Sequence, residues 1–207
     1  MGHKGKLKTE QSWHTDKDGN MVFDSPIETG DKLDSTQGKV NGFSGTCGLV
    51  SCENVLRLAG IMVTENDLVA FAKSTKSERS GDYLCSRGSI FASKNGGTGV
   101  EDRNEILAHF GLDAVSLPCD VDAIAKYVEE GRGVIISVHC DQLYHGYTDG
   151  GDLHAVCVTS VKRDKIGQLL GMYICDSNGD PSQYYYVDEI EKALSGRKMN
   201  VTTAVLR

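Results

Sequence analysis

The sequence predicts an α+β fold in which helices come first and a mostly antiparallel sheet follows. Two observations carry this. Between Cys47 and Gly131, apolar residues recur at the three- and four-residue steps of helix faces. Beyond Gly131 the pattern changes to short runs rich in Val, Ile and Tyr, separated by turn signals. Segregation of the two kinds of element is the α+β signature. A chain of 207 residues fits one domain and is ample for a core.

The elements follow in order. Leu49, Cys52, Leu56 and Ala59 form a first helical stripe, which opens at Cys47 and is closed by Gly60. Thr64-Glu65-Asn66-Asp67 is a cap with acids in the first turn, and it leads a second helix carrying Leu68, Phe71 and Ala72. Residues 74–99 have little periodicity and much Ser and Gly, and read as loop. A third helix begins near Thr98, with Val100, Arg103, Leu107 and Phe110 on one face, and ends at Gly111. Residues 113–117 read as a strand. Asp120 caps a fourth helix through Ile124 and Val128. The β-rich runs are 133–140, 154–161, 169–175, 184–187 and 200–206, with a short helix at 188–194.

Composition narrows the function. Residues 1–36 read as a polar arm or linker, and the domain proper as 37–207, because large apolar groups are sparse at the start. The net charge is −7 and the densest basic run is Lys4, Lys6 and Lys8, which argues against nucleic acid and against an anionic membrane surface. No stretch approaches the roughly 18 apolar residues of a membrane span. The charged N-terminus has no apolar core behind it, so it does not read as a signal peptide. The seven cysteines are odd in number and sit in apolar patterns, so free thiols and a reducing compartment are expected.

One cysteine stands apart. Cys47 falls where a helix starts, after Ser44-Gly45-Thr46, and points away from the apolar stripe that includes Cys52. A helix N-terminus favours the thiolate, the reactive form. His154 opens one β-run and Asp176 closes the next. A turn centred between Lys165 and Ile166 sets these two within one residue of facing each other. A thiol, an imidazole and a carboxylate that fixes the ring make an activated nucleophile. His139 and His145 are the second-best bases; His109 reads as half-exposed, and His3 and His14 fall in the arm.

At these residues the chain resembles the papain-like clan, and within it the bacteriocin-processing peptidases that cut after double-glycine leaders. The resemblance rests on TCGLVSCENVL (46–56), EILAHFGLDA (105–114), IAKYVEEGRGVIISV (124–138), DLHAVCVTSV (152–161) and YICDS (173–177). It implies a papain-like fold with Cys47 on a central helix and with Cys47, His154 and Asp176 as catalytic residues. It also implies Gln37 as the oxyanion donor, with Asn41 as the fallback. Family members often have Asp before the Cys, where this chain has Thr46, and Pro after the orienting Asp, where it has Ser177. No cofactor is called for. The protein or peptide substrate would be met in a narrow cleft suited to small residues such as Gly-Gly.

Other chemistries fit poorly. HCDQLYH (139–145) lacks a second ligand pair at zinc spacing. DSNGD (176–180) starts like a calcium loop, but Pro181 and Val187 stand where Gly and Glu are needed. DKDGN (16–20) is a turn, and NGGTG (95–99) has no Lys at phosphate spacing. The sequence and the resemblance together predict a cysteine hydrolase that forms an acyl-enzyme and usually releases it with water. The leading expectation is a protease domain of a secreted antibacterial toxin, acting in a target cell's cytosol and blocked by an immunity protein. A leader peptidase, or a deamidase or transglutaminase, is the alternative.

Overall fold

The computed structural model describes residues 13–24, 33, 35–85, 96–147, 152–179 and 182–207. Most of the expected N-terminal arm (1–12 and 25–32) and part of the expected loop region (86–95) lie outside the described residues.

The helical half forms where the periodicity places it. Helix α1 is Cys47–Leu58, α2 is Glu65–Ala72 and α3 is Val100–His109. Thr64 and Asp67 close a reciprocal capping box on α2. Strand β3 (Ala114–Pro118) and helix α4 (Val121–Glu129) follow, and Asp120 caps α4 by accepting from the Ala123 N–H at 2.8 Å. The sheet half comprises β4 (Arg132–His139), β5 (Leu153–Arg163), β6 (Leu169–Cys175), β7 (Gln183–Tyr186) and β8 (Lys198–Val205). A short helix α5 (Cys140–Leu143) follows β4, and α6 (Val187–Ala193) follows β7.

All ladders among these strands are antiparallel. Strand β5 is central. It pairs with β4 along its first half and with β6 on the other edge. Beyond β4 lie β8 and then β3, and β7 extends the sheet past β6. Residues alternate between two cores. Ile135, Ala155 and Cys157 join one cluster with Leu49, Cys52 and Leu56 of α1. Val134, Ile136, Val156 and Val158 join the other with Ile124 and Val128 of α4 and Ile190 of α6. Helices thus cover both faces of the sheet. No helix among the described residues is long and apolar enough to cross a membrane.

Three features depart from the sequence reading. Within the expected polar arm, Trp13–Thr15 (β1) and Met21–Phe23 (β2) form a hairpin around the DKDGN turn. Strand β2 then pairs with Val161–Arg163 of β5, where β4 has ended, and buried Phe23 fills the second core. Helix α5 begins on Cys140, the last residue of the run expected as strand, 133–140. The third departure is register. Cys157 faces Cys175 and Val158 faces Ile174, with an irregularity before Ser160. Continued, that ladder would set Asp176 against Val156, two residues from His154 rather than within one. The offset is already present at the turn, where Arg163 faces Leu169 and not Gln168; the irregularity before Ser160 moves Asp176 back by one residue toward His154.

Candidate active site

Cys47 is the first residue of α1, and the helix is fastened to the strand that carries His154. Ser51 Oγ donates to the Ala155 carbonyl at 3.0 Å, and the Cys157 thiol donates to the Ser51 carbonyl at 3.1 Å. Gly48 is needed for the approach of α3, because a Cβ there would lie 2.0 Å from Thr98 Oγ1 and 3.5 Å from Arg103 Cδ.

His154 and Asp176 meet despite the shifted register. A two-residue offset keeps both on one face of the ladder, at diagonal reach. His154 Nε2 lies 2.7 Å from Asp176 Oδ1, and both residues are buried. Cys47 lies close enough to the same ring for the thiol and the imidazole to shift one another's titration. With Nε2 held by Asp176, Nδ1 is the nitrogen left for the thiol. Asp176 also accepts from the Asn178 N–H at 2.8 Å and from the Tyr144 hydroxyl.

The charges follow from these contacts. Burial alone would push the Cys47 thiol up. The hydrogen bond and charge of His154, the Ala155 N–H and the Arg103 charge outweigh it, and the thiol is held below its usual value. Burial opposes the His154 charge too, but Asp176 and Cys47 raise the ring to about 9. Burial also raises Asp176, and its bonds to His154, Tyr144 and Asn178 bring it below the usual carboxylate range. Both shifts run the same way, toward a thiolate beside an imidazolium rather than two neutral groups. Cys52 is different: burial pushes its thiol up to about 12.

Gln37 lies alongside this cluster. Its N–H donates to the Ser177 carbonyl at 3.1 Å, and its Oε1 accepts from Ser177 Oγ at 3.1 Å. Its Nε2 donates to the Ser44 carbonyl at 3.4 Å. The segment is thereby tied to the residue after Asp176 and to one three positions before Cys47. Asn41 sits in an exposed turn, lining a cavity with Lys39, Arg57 and Asn66. Of the competing histidines, His145 is exposed and lies 3.3 Å from Glu189, and His109 stacks on Phe71.

No family model and no curated protein matches this chain. Solved structures do. A C39-like peptidase from Bacillus anthracis superposes with a TM-score of 0.57 at 17% identity, over 83% of this chain and 96% of that one. The fold is that of the C39-like peptidases. The peptidase domain of Streptococcus ComA, a bi-functional ABC transporter of a quorum-sensing pathway, gives a TM-score of 0.52 at 13% identity, over 83% and 99% of the two chains. A double-glycine motif protease from an AMS/PCAT transporter, solved with its leader peptide, gives 0.50 at 15%, over 82% and 91%.

Within this C39-like fold, three participants escaped the sequence reading. Tyr144 escaped because HCDQLYH reads through its histidines, as alternative bases or metal ligands, and its phenol carries no such signal. Arg103 was assigned to a helix face, yet it is buried and bonds neutral partners, Asn200 Oδ1 at 2.8 Å and Ser137 Oγ at 3.0 Å. Glu65 was read as part of a helix cap. It is buried, and its carboxylate accepts from the Gly38 N–H at 2.8 Å, the Lys39 N–H at 2.9 Å and the Thr46 hydroxyl.

Proposed function

We propose that this chain is a cysteine peptidase working through Cys47, His154 and Asp176. The observation that carries the reading is the chain of contacts from Asp176 through His154 to a thiol at a helix N-terminus. The thiolate attacks the scissile carbonyl. His154 Nδ1–H protonates the leaving amine, and the acyl-enzyme forms on Sγ. Water, deprotonated by His154, then releases the acid and restores the thiol. Asp176 stays ionised and holds the ring through Nε2. Gln37 supports the developing oxyanion: one of its two amide hydrogens is on Ser44, which leaves the other for the substrate oxygen.

The substrate in this proposal is a protein or peptide with small residues, such as Gly-Gly, before the cut. A Cβ on Gly96 would lie 2.7 Å from Thr46 Cγ2, so the segment around Gly96 closes tightly on the residues leading to the thiol. Such a wall penalises side chains near it. The likeness in fold to a double-glycine motif protease favours the same guess. Intact-mass measurement of candidate polypeptides tests the chemistry. Split chains are expected; deamidated or crosslinked products would instead favour the deamidase or transglutaminase alternative.

We also propose that the target lies in a competitor's cytosol and that an immunity protein blocks the cleft. The free Cys47, Cys52 and Cys157 thiols suit a reducing destination. Expression in bacterial cytosol without a partner should stop growth, and Cys47→Ala should relieve it. A folded, thiol-reactive wild-type chain that is harmless would end the toxin reading.

A further inference from the structure

Glu65 makes a second constellation beside the thiol, one that the acyl-transfer steps do not use directly. The residue is 4% exposed and opens α2, where the helix dipole favours a negative charge. Among the described residues it forms no ion pair. Its oxygens are met by neutral donors: Oε1 by the Gly38 N–H at 2.8 Å and by the Thr46 hydroxyl, Oε2 by the Lys39 N–H at 2.9 Å. The Gly38 N–H also reaches Thr46 Oγ1 at 3.2 Å. A buried carboxylate is costly unless its lone pairs are satisfied, so these donors and the carboxylate hold one another in place.

The identity of the neighbours matters. Gly38 and Lys39 directly follow Gln37, and Thr46 directly precedes Cys47. One carboxylate therefore fixes the chain beside the oxyanion donor and the chain beside the nucleophile. Gly38 has φ +80°, a conformation that needs glycine and turns consecutive N–H groups toward the carboxylate. Among the described contacts, Glu65 touches neither His154 nor Asp176.

We infer that Glu65 is a positioning residue that sets the distance between the Gln37 amide and the Cys47 sulfur. The inference rests on the proposed acyl transfer and on the proposed role of Gln37. It separates two reactivities of the same thiol. Alkylation of Cys47 needs the thiolate and His154 but no oxyanion donor, whereas peptide cleavage needs all three.

The test uses Glu65→Gln, which keeps shape and one acceptor but presents an NH2 where Lys39 needs an acceptor. Peptide cleavage should lose about 10-fold or more in kcat with KM within about twofold, since small misplacements of catalytic groups are costly. The iodoacetamide rate at Cys47, and its pH profile, should stay at wild-type values. Combined with Gln37→Ala, Glu65→Gln should add nothing further. Hydrogen exchange at the Gly38 and Lys39 amides should quicken. Thr46→Val, which loosens the same clamp from its other end, should repeat the pattern if Glu65→Gln folds poorly. An unchanged kcat with faster exchange overturns the inference, as does a parallel fall in cleavage and alkylation, or additive losses with Gln37→Ala. A wild-type chain that alkylates normally but cleaves no polypeptide would instead overturn the peptidase reading, and the role of Glu65 in it.

Discussion

Asp176 and Glu65 are alike in most respects. Each is a carboxylate 4% exposed, and each receives three donors from within the domain. They differ in who donates. Asp176 faces an imidazole that can gain or lose a proton, so its charge reaches the thiol through His154. Glu65 faces two peptide N–H groups and a hydroxyl, none of which titrates near neutral pH, so its charge holds backbone; the titratable group it raises is Glu53, outside the proposed catalytic pair. Burial and hydrogen-bond number do not separate a carboxylate that tunes reactivity from one that fixes geometry; the protonation of its partners does.

The largest effect sets the scale. Cys47→Ala should cost roughly 10³-fold or more in turnover, because nucleophile and base act as a unit. Iodoacetamide should label Cys47 ahead of Cys52, whose thiol is raised to about 12; labelling of Cys52 first would refute the assignment. Asp176→Asn should lower cleavage by about 10²-fold through a loosened imidazole, less than His154→Ala. Unlike Glu65→Gln it should slow alkylation as well. If both carboxylate variants spare alkylation, the contrast between the two sites collapses.

The pH dependence sharpens the same contrast. His154 is raised to about 9 and Cys47 is lowered, so the ion pair exists between those two values. Activity should fall on the acid side as the thiolate gains a proton, and on the alkaline side near pH 9 as the ring loses one. Removing the Asp176 charge removes a cause of the raised ring value, so the alkaline limb of Asp176→Asn should move to lower pH. Glu65→Gln should leave both limbs in place. The smallest change is expected for Tyr144→Phe, which deletes one of three donors to Asp176 and should cost about 3–10-fold. A loss as large as that of Asp176→Asn would mean that Tyr144 does more than orient a carboxylate.

The parts of the site that the sequence makes legible are those carried by periodic elements. Cys47 lies two residues ahead of an apolar stripe and off its face, and His154 and Asp176 sit at the ends of two β-runs joined by a recognisable turn. The irregularity between Val158 and Ser160 was not legible, because nothing in the alternating pattern marks the residue that drops out of pairing. The contact survived because a two-residue offset preserves the face; an offset of one would have reversed it. The Glu65 network was hidden for another reason. Its partners are mostly backbone N–H groups, which every residue carries, so side-chain identity holds no trace of them. The hairpin Trp13–Phe23 was masked by its polar surroundings, since a strand laid on the edge of a sheet needs few large apolar residues.

The bonds that seat α1 on β5 close over half the chain: Ser51 and Ala155 are 104 residues apart, and Cys157 reaches Ser51 across 106. Contacts so distant in sequence form only after the intervening chain has collapsed around them. An incompletely synthesised chain that ends before β5 holds Cys47 but no imidazole to partner it, and an unfolded chain in transit through a narrow conduit has both residues but no pair. The proposed thiol–imidazole pair therefore forms in the same cooperative step that completes the sheet, so the activity proposed for it would wait until folding is finished.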